Sequence, residues 1–134
     1  MFIFKLRKIL LILFLFCITQ CYKAPFFELN VTIQDQNFNP VPNSSVRIII
    51  TDTNTGEIIP NDLNEEDLIK ITGSNGACSF SFEKKAFVTI QACIDSSNNP
   101  NSFLCQEAYV YLEENETITK TMMIVNDSCQ YCPF

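Results

Sequence analysis

Seven cysteines and no histidine set the chemical repertoire of this 134-residue chain. Without imidazole there is no histidine general base, no Ser-His or Cys-His nucleophile and no mixed Cys-His zinc set. Fifteen Asp and Glu leave a carboxylate pair as the route by which the chain could hydrolyse anything, and a small carboxylate-dependent hydrolase is the less favoured reading. The acidic runs Asp62 to Asp67 and Glu113 to Glu116 have no calcium-loop spacing and read as solvated turns. The expectation is therefore no catalytic residue, no metal and no cofactor.

Cysteine remains, and its chemistry depends on which strands present it. Cys93 and Cys105 fall at the end of one strand-like run and near the start of the next, on the side turned away from Val88, Ile90, Ala108 and Val110. If those runs pair as a hairpin the two thiols face each other. A Cys93–Cys105 disulfide closing eleven intervening residues would constrain the unfolded chain by about 2–3 kcal/mol. Cys129-Gln130-Tyr131-Cys132 has redox-motif spacing, but such a motif opens a helix after a strand, whereas here only Pro133 and Phe134 follow. Two thiolates alone make no zinc site. The tail pair is expected to be structural, with a second disulfide drawn from Cys129, Cys132 and Cys78. Cys78 shares a face with Phe80 and Phe82, so it is expected to be buried and inert unless the tail reaches it.

The address comes from the first residues. Lys5, Arg7 and Lys8 precede an apolar run from Ile9 to Ile18, about ten residues, which is short for a bilayer span and right for a secretory signal. Ile18-Thr19-Gln20-Cys21 resembles a relaxed bacterial lipobox in which Cys21 is lipidated and anchors the protein to a membrane. The alternatives are cleavage after Thr19 or Cys21 to give a soluble secreted protein, and a retained signal anchor. Removing residues 1–21 leaves 6 basic and 15 acidic residues, a net charge of −9. The six cations are scattered, so nothing neutralises a run of phosphates, and nucleic acid is excluded as a partner. Asn30, Asn43, Asn115 and Asn126 each begin an Asn-x-Ser/Thr sequence and are glycosylation acceptors if the host modifies them.

The elements that must position these residues are strands. Phe27, Leu29, Val31 and Ile33 alternate with Glu28, Asn30, Thr32 and Gln34, and Val46, Ile48 and Ile50 restart the alternation after a connection rich in Asp, Asn and Pro. Leu68 to Thr72, Ala77 to Glu83, Ala86 to Cys93, Phe103 to Leu112 and Thr117 to Val125 bring the count to seven. The first two of these five are expected to form a hairpin around Gly73-Ser74-Asn75-Gly76. Asn64 to Lys70 offers at most one helical turn. Seven short strands with no crossover helix predict an all-β, Ig-like sandwich over 27–125. Before it lie a signal segment at 1–21 and a short tether at 22–26, and after it a cysteine-containing tail at 126–134.

The spacing Asp35, Pro40, Val41, Val46, Ile48, then Thr72, Gly76 and Phe80, then Phe87-Val88-Thr89-Ile90 resembles carboxypeptidase regulatory-like domains, across Glu28 to Val125. The resemblance implies a prealbumin-like sandwich. That family often has Gly where this chain has Phe38 and Asn43, Asp in place of Gly73 and Tyr in place of Cys78. Asn43 reaches a positive φ readily and Phe38 does so at a cost. Hydrolytic transthyretin relatives depend on His, so their activity does not carry over. The functional expectation is a non-catalytic, membrane-anchored or secreted module that binds a protein or glycan at the cell surface. Its contacts would come from loops such as Glu57 to Asp67 and Ile94 to Ser102. The alternative is a spacer or assembly subunit that pairs through a strand edge.

Overall fold

The computed structural model describes residues 24–51, 55–56, 68–96, 102–127 and 129–134. The signal segment with Cys21, the connection 57–67 and most of the loop after Ile94 lie outside them.

Among the described residues seven strands form where the alternation places them: β1 (Phe27–Gln34), β2 (Ser45–Thr51), β3 (Ile69–Ile71), β4 (Ala77–Phe82), β5 (Phe87–Asp95), β6 (Phe103–Tyr111) and β7 (Glu116–Met123). They make a three-stranded sheet in the order β4-β1-β7 and a four-stranded sheet in the order β3-β2-β5-β6. All neighbours are antiparallel except β1 and β7, which run parallel from Phe27 opposite Glu116 to Gln34 opposite Met123. The chain is an all-β sandwich.

The core is the inward set of that alternation. Leu29, Val31 and Ile33 of β1 and Val46 of β2 are fully enclosed, as are Val88, Ile90 and Ala92 of β5, with Phe80, Phe82, Leu112 and Met122 around them. Burying side chains of this size is worth about 1.5–3 kcal/mol each, which fixes strand register, because a one-residue slip would turn the whole set to solvent.

Ser44 and Thr72 are polar and buried. Thr72 Oγ1 accepts the Ser44 amide (2.9 Å) and donates to the Val41 carbonyl (2.9 Å), while the Thr72 amide returns to the Ser44 carbonyl (2.9 Å). This hub ties the start of β2 to the end of β3 and leaves no buried polar atom there unpaired.

Two connections differ from the sequence expectation. The turn at Gly73 to Gly76 exists, with the Gly76 amide on the Gly73 carbonyl (2.9 Å), yet β3 and β4 do not pair as a hairpin. β3 joins β2 and β4 joins β1, so the turn carries the chain from one sheet to the other. A turn signature specifies that the chain reverses, not which strand it meets, and the three residues of β3 are held by β2 and the Thr72 hub. The turn at Glu113 to Glu116 likewise crosses from β6 to β7.

Phe38 and Asn43 both take positive φ, 63° and 59°. These are the positions at which the carboxypeptidase regulatory-like pattern often has Gly. Asp35 holds the first turn: its Oδ2 accepts the Asn39 side-chain amide (3.0 Å) and its Oδ1 the backbone amides of Asn39 (2.9 Å) and Asn37 (2.8 Å), and these bonds, the Asn39 side chain's first, hold its carboxyl below the usual carboxylate range.

Candidate functional site

The outer face of the four-stranded sheet carries the side chains that alternate against the core set. Cross-strand register stacks them in rows, with Ser45, Cys93 and Cys105 in one, Arg47, Gln91 and Glu107 in the next, then Ile49, Thr89 and Tyr109, then Thr51, Phe87 and Tyr111. Apart from Ile49 and the two cysteines, polar and aromatic residues fill the positions that a second packed layer would make apolar.

One hydrogen-bonded chain crosses three strands in the second row. Arg47 donates to Gln91 Oε1 from Nε (3.2 Å) and Nη2 (2.6 Å), and Gln91 Nε2 donates to Glu107 Oε2 (2.7 Å). The Tyr109 hydroxyl donates to Glu107 Oε1. Gln91 is 7% exposed and both ends of its amide are used, so its orientation is fixed. The Tyr109 and Gln91 bonds lower the Glu107 pKa, and the same carboxylate raises that of Tyr109. Beside the chain, Tyr109 stacks on Phe87 with ring centroids 6.0 Å apart, and Tyr109 (55%) and Tyr111 (43%) are open to solvent.

The tail completes this face. After β7, Asn126 pairs with Cys105, its carbonyl accepting the Cys105 amide (2.7 Å), which aims the following residues back over the sheet. Cys132 is bonded to Cys93 and Cys129 to Cys105, with Cα separations of 6.1 and 6.0 Å. Phe134 then lies against the Arg47 guanidinium at 4.6 Å. The expected Cys93–Cys105 bridge is thus corrected. Cys93 and Cys105 are indeed opposite each other in the β5–β6 hairpin, but each bonds a tail cysteine laid over it, and the covering tail is why two outward cysteines are buried. Cys78 is free, on β4 in the other sheet, and half-buried. Burial pushes its thiol up to about 11, so it stays protonated at neutral pH.

By itself the tail offers two thiolates, and the fold adds strand cysteines to them. The Sγ atoms of Cys105, Cys129 and Cys132 lie within 4.8 Å of one another.

The free edge of β6 borders the same face. Its even residues bond toward β5, as the Leu112 amide does to Ala86, and its odd residues point away, as Cys105 does toward Asn126. Beyond Cys105, Glu107, Tyr109 and Tyr111 meet no further strand among the described residues. A groove of about 470 Å³ runs between this edge and β7, lined by Glu107, Tyr109, Lys120, Met122, Met123 and Val125.

The acceptor asparagines are spread over the molecule. Asn30 is on the central strand of the smaller sheet, Asn43 and Asn115 are exposed at positive φ, and Asn126 is exposed at the β6 edge. Of the loops expected to bind, 57–67 lies outside the described residues, as does 97–101. Arg47, Gln91, Glu107 and Tyr109 form no motif in the sequence, and their one signal there is the solvent half of the alternation. The two described carboxylates with displaced pKa values, Asp35 and Glu107, are both lowered, the opposite of what a general acid needs.

No protein-family model and no curated protein matches the chain. Among solved structures it is similar to the catechol 1,2-dioxygenase from Acinetobacter sp. ADP1 inhibited by bound mercury, at 14% identity and a TM-score of 0.46. The match spans 69% of this chain and 38% of the dioxygenase chain.

Proposed function

We propose that this chain is a non-catalytic, extracytoplasmic β-sandwich module that binds a protein or glycan through the outer face of its four-stranded sheet. The observation that carries the reading is the Arg47–Gln91–Glu107–Tyr109 chain, a fixed set of donors and acceptors beside exposed aromatic rings on a rigid sheet. Sites of this make-up recognise ligands at little ordering cost, because aromatic side chains have few rotamers and the polar groups are already oriented. The two disulfides are compatible with an oxidising compartment. In this reading Cys21 is lipidated and tethers the module to a membrane. Positive φ at Phe38 and Asn43 supports kinship with carboxypeptidase regulatory-like domains.

Screening the mature protein on glycan and peptide arrays tests the face. Binding that falls at least tenfold in Tyr109→Ala and Arg47→Ala, and is kept in Thr119→Ala on the other sheet, is the expected result. Binding indifferent to all three substitutions would rule the face out. For the address, a mature N-terminus at Cys21 carrying acyl mass is expected, with membrane association lost in Cys21→Ser. An unmodified N-terminus at Gln20 or Tyr22 in a soluble fraction would contradict it.

The edge of β6 beyond Cys105, which meets no further strand among the described residues, favours a second reading, assembly by strand addition. In that case Tyr109→Pro, which removes an outward amide, abolishes an assembly detected by sedimentation, whereas Tyr109→Ala preserves it.

A further inference from the structure

The bridges that hold the tail also gather four sulfurs. Cys93 is bonded to Cys132, and Cys132 shares a 4.8 Å neighbourhood with Cys105 and Cys129. A tetrahedral zinc–thiolate centre has Zn–S bonds of about 2.3 Å, hence sulfur–sulfur edges of about 3.8 Å. Cys93 stands outside that three-sulfur group and is joined to it through Cys132, so once the sulfur–sulfur bonds are opened the centre asks for rotation about the side-chain torsions and a shift of the tail to bring all four atoms to such spacings. The strands need not move. Two ligands come from a Cys-x-x-Cys segment, a spacing usual for zinc, and two from residues opposite each other in the β5–β6 hairpin. Cys93 is 3% exposed and Cys105 is wholly enclosed, while Cys129 and Cys132 are half-buried, so the strand side of the centre would be shielded from water and the tail side partly open. The next outward row from Cys93 and Cys105 holds one charge of each sign, Arg47 and Glu107, so it adds no net charge beside what would be a dianionic centre.

We propose that, with both disulfides reduced, the chain binds one Zn²⁺ through the Sγ atoms of Cys93, Cys105, Cys129 and Cys132. Two equivalents of a dithiol reductant supply the four electrons and four protons that convert the two disulfides to four thiols, and each reductant leaves as its own disulfide. Zn²⁺ then displaces four thiol protons and takes four thiolates. The metal fastens the tail across the sheet in place of the sulfur–sulfur bonds. Cys78 takes no part, since it stands on the other sheet.

The test uses the mature full chain, reduced anaerobically with a phosphine, which does not compete as a thiol, and titrated with Co²⁺ and then Zn²⁺. The expected result is one Co²⁺ per chain with thiolate-to-cobalt charge transfer and tetrahedral ligand-field bands, both abolished by one equivalent of Zn²⁺. The unreduced chain should take up none. Cys78→Ser should match the wild type, while Cys129→Ser and Cys132→Ser should each weaken binding at least tenfold. Those two residues follow the last strand, so their substitution leaves every strand intact. A reduced wild type without the tetrahedral spectrum, or equal uptake by the Cys129→Ser/Cys132→Ser double variant, would overturn the proposal.

Discussion

Thr72 uses one hydroxyl to serve two backbone groups, the Ser44 amide and the Val41 carbonyl. Replacing it with the isosteric Val leaves both without that partner in a buried place, so Thr72→Val should lose about 1–3 kcal/mol in a denaturant titration. Phe38 is the opposite case. Its ring is 69% exposed while its backbone sits at φ 63°, so Phe38→Gly relieves backbone strain without opening a cavity. That substitution should raise stability by about 0.5–1 kcal/mol. Charge adds a pH dependence. Glu107 titrates lower in the fold than in the unfolded chain, so its contribution is present above the unfolded value, about 4.3, and is lost as pH falls through the lower folded value. Tyr109 mirrors it, its raised folded pKa giving stability that is whole below about pH 10 and lost above the folded value. Unfolding followed across pH should therefore show a shallower acid limb in Glu107→Gln and a shallower alkaline limb in Tyr109→Phe.

At the scale of elements, strand identity follows from local alternation and strand partnership does not. Val46, Ile48 and Ile50 announce β2 from sequence alone, and Val88, Ile90 and Ala92 announce β5, because period-two burial is written in neighbouring residues. Nothing local says that β3 pairs with β2 and β4 with β1, since the Gly73–Gly76 turn fits a hairpin and a sheet crossing equally well. The outward row Arg47–Gln91–Glu107 became visible only when register set residues far apart in sequence side by side. Core and edge should also respond differently. Ile90 is fully enclosed on a strand with partners on both sides, so Ile90→Ala should lose about 2–5 kcal/mol. Tyr111→Ala, on the exposed edge strand, should change stability by no more than about 0.5–1 kcal/mol.

For the molecule as a whole, the C-terminal tail turns a two-layer sandwich into one with a partly covered outer face. Its two bridges span 39 and 24 residues of sequence, and each constrains the unfolded chain by about 3–4 kcal/mol. Mild reduction should accordingly lower the denaturant midpoint while the β-rich circular dichroism spectrum persists at low denaturant. The tail also sets Phe134 on Arg47 and so helps build the candidate face. The sequence brought Cys93 and Cys105 together correctly as a hairpin pair but could not foresee that Asn126, by bonding the Cys105 edge, would lay Cys129 and Cys132 over them. That return of the chain is a long-range event with no local signature. Its most direct test is a disulfide map of the unreduced protein after chymotryptic cleavage, since Phe103 and Tyr131 offer cuts that separate Cys93 from Cys105 and Cys129 from Cys132. Peptides linking Cys93 to Cys132 and Cys105 to Cys129 are the predicted result. Peptides linking Cys93 to Cys105, with Cys129 joined to Cys132, would contradict the account.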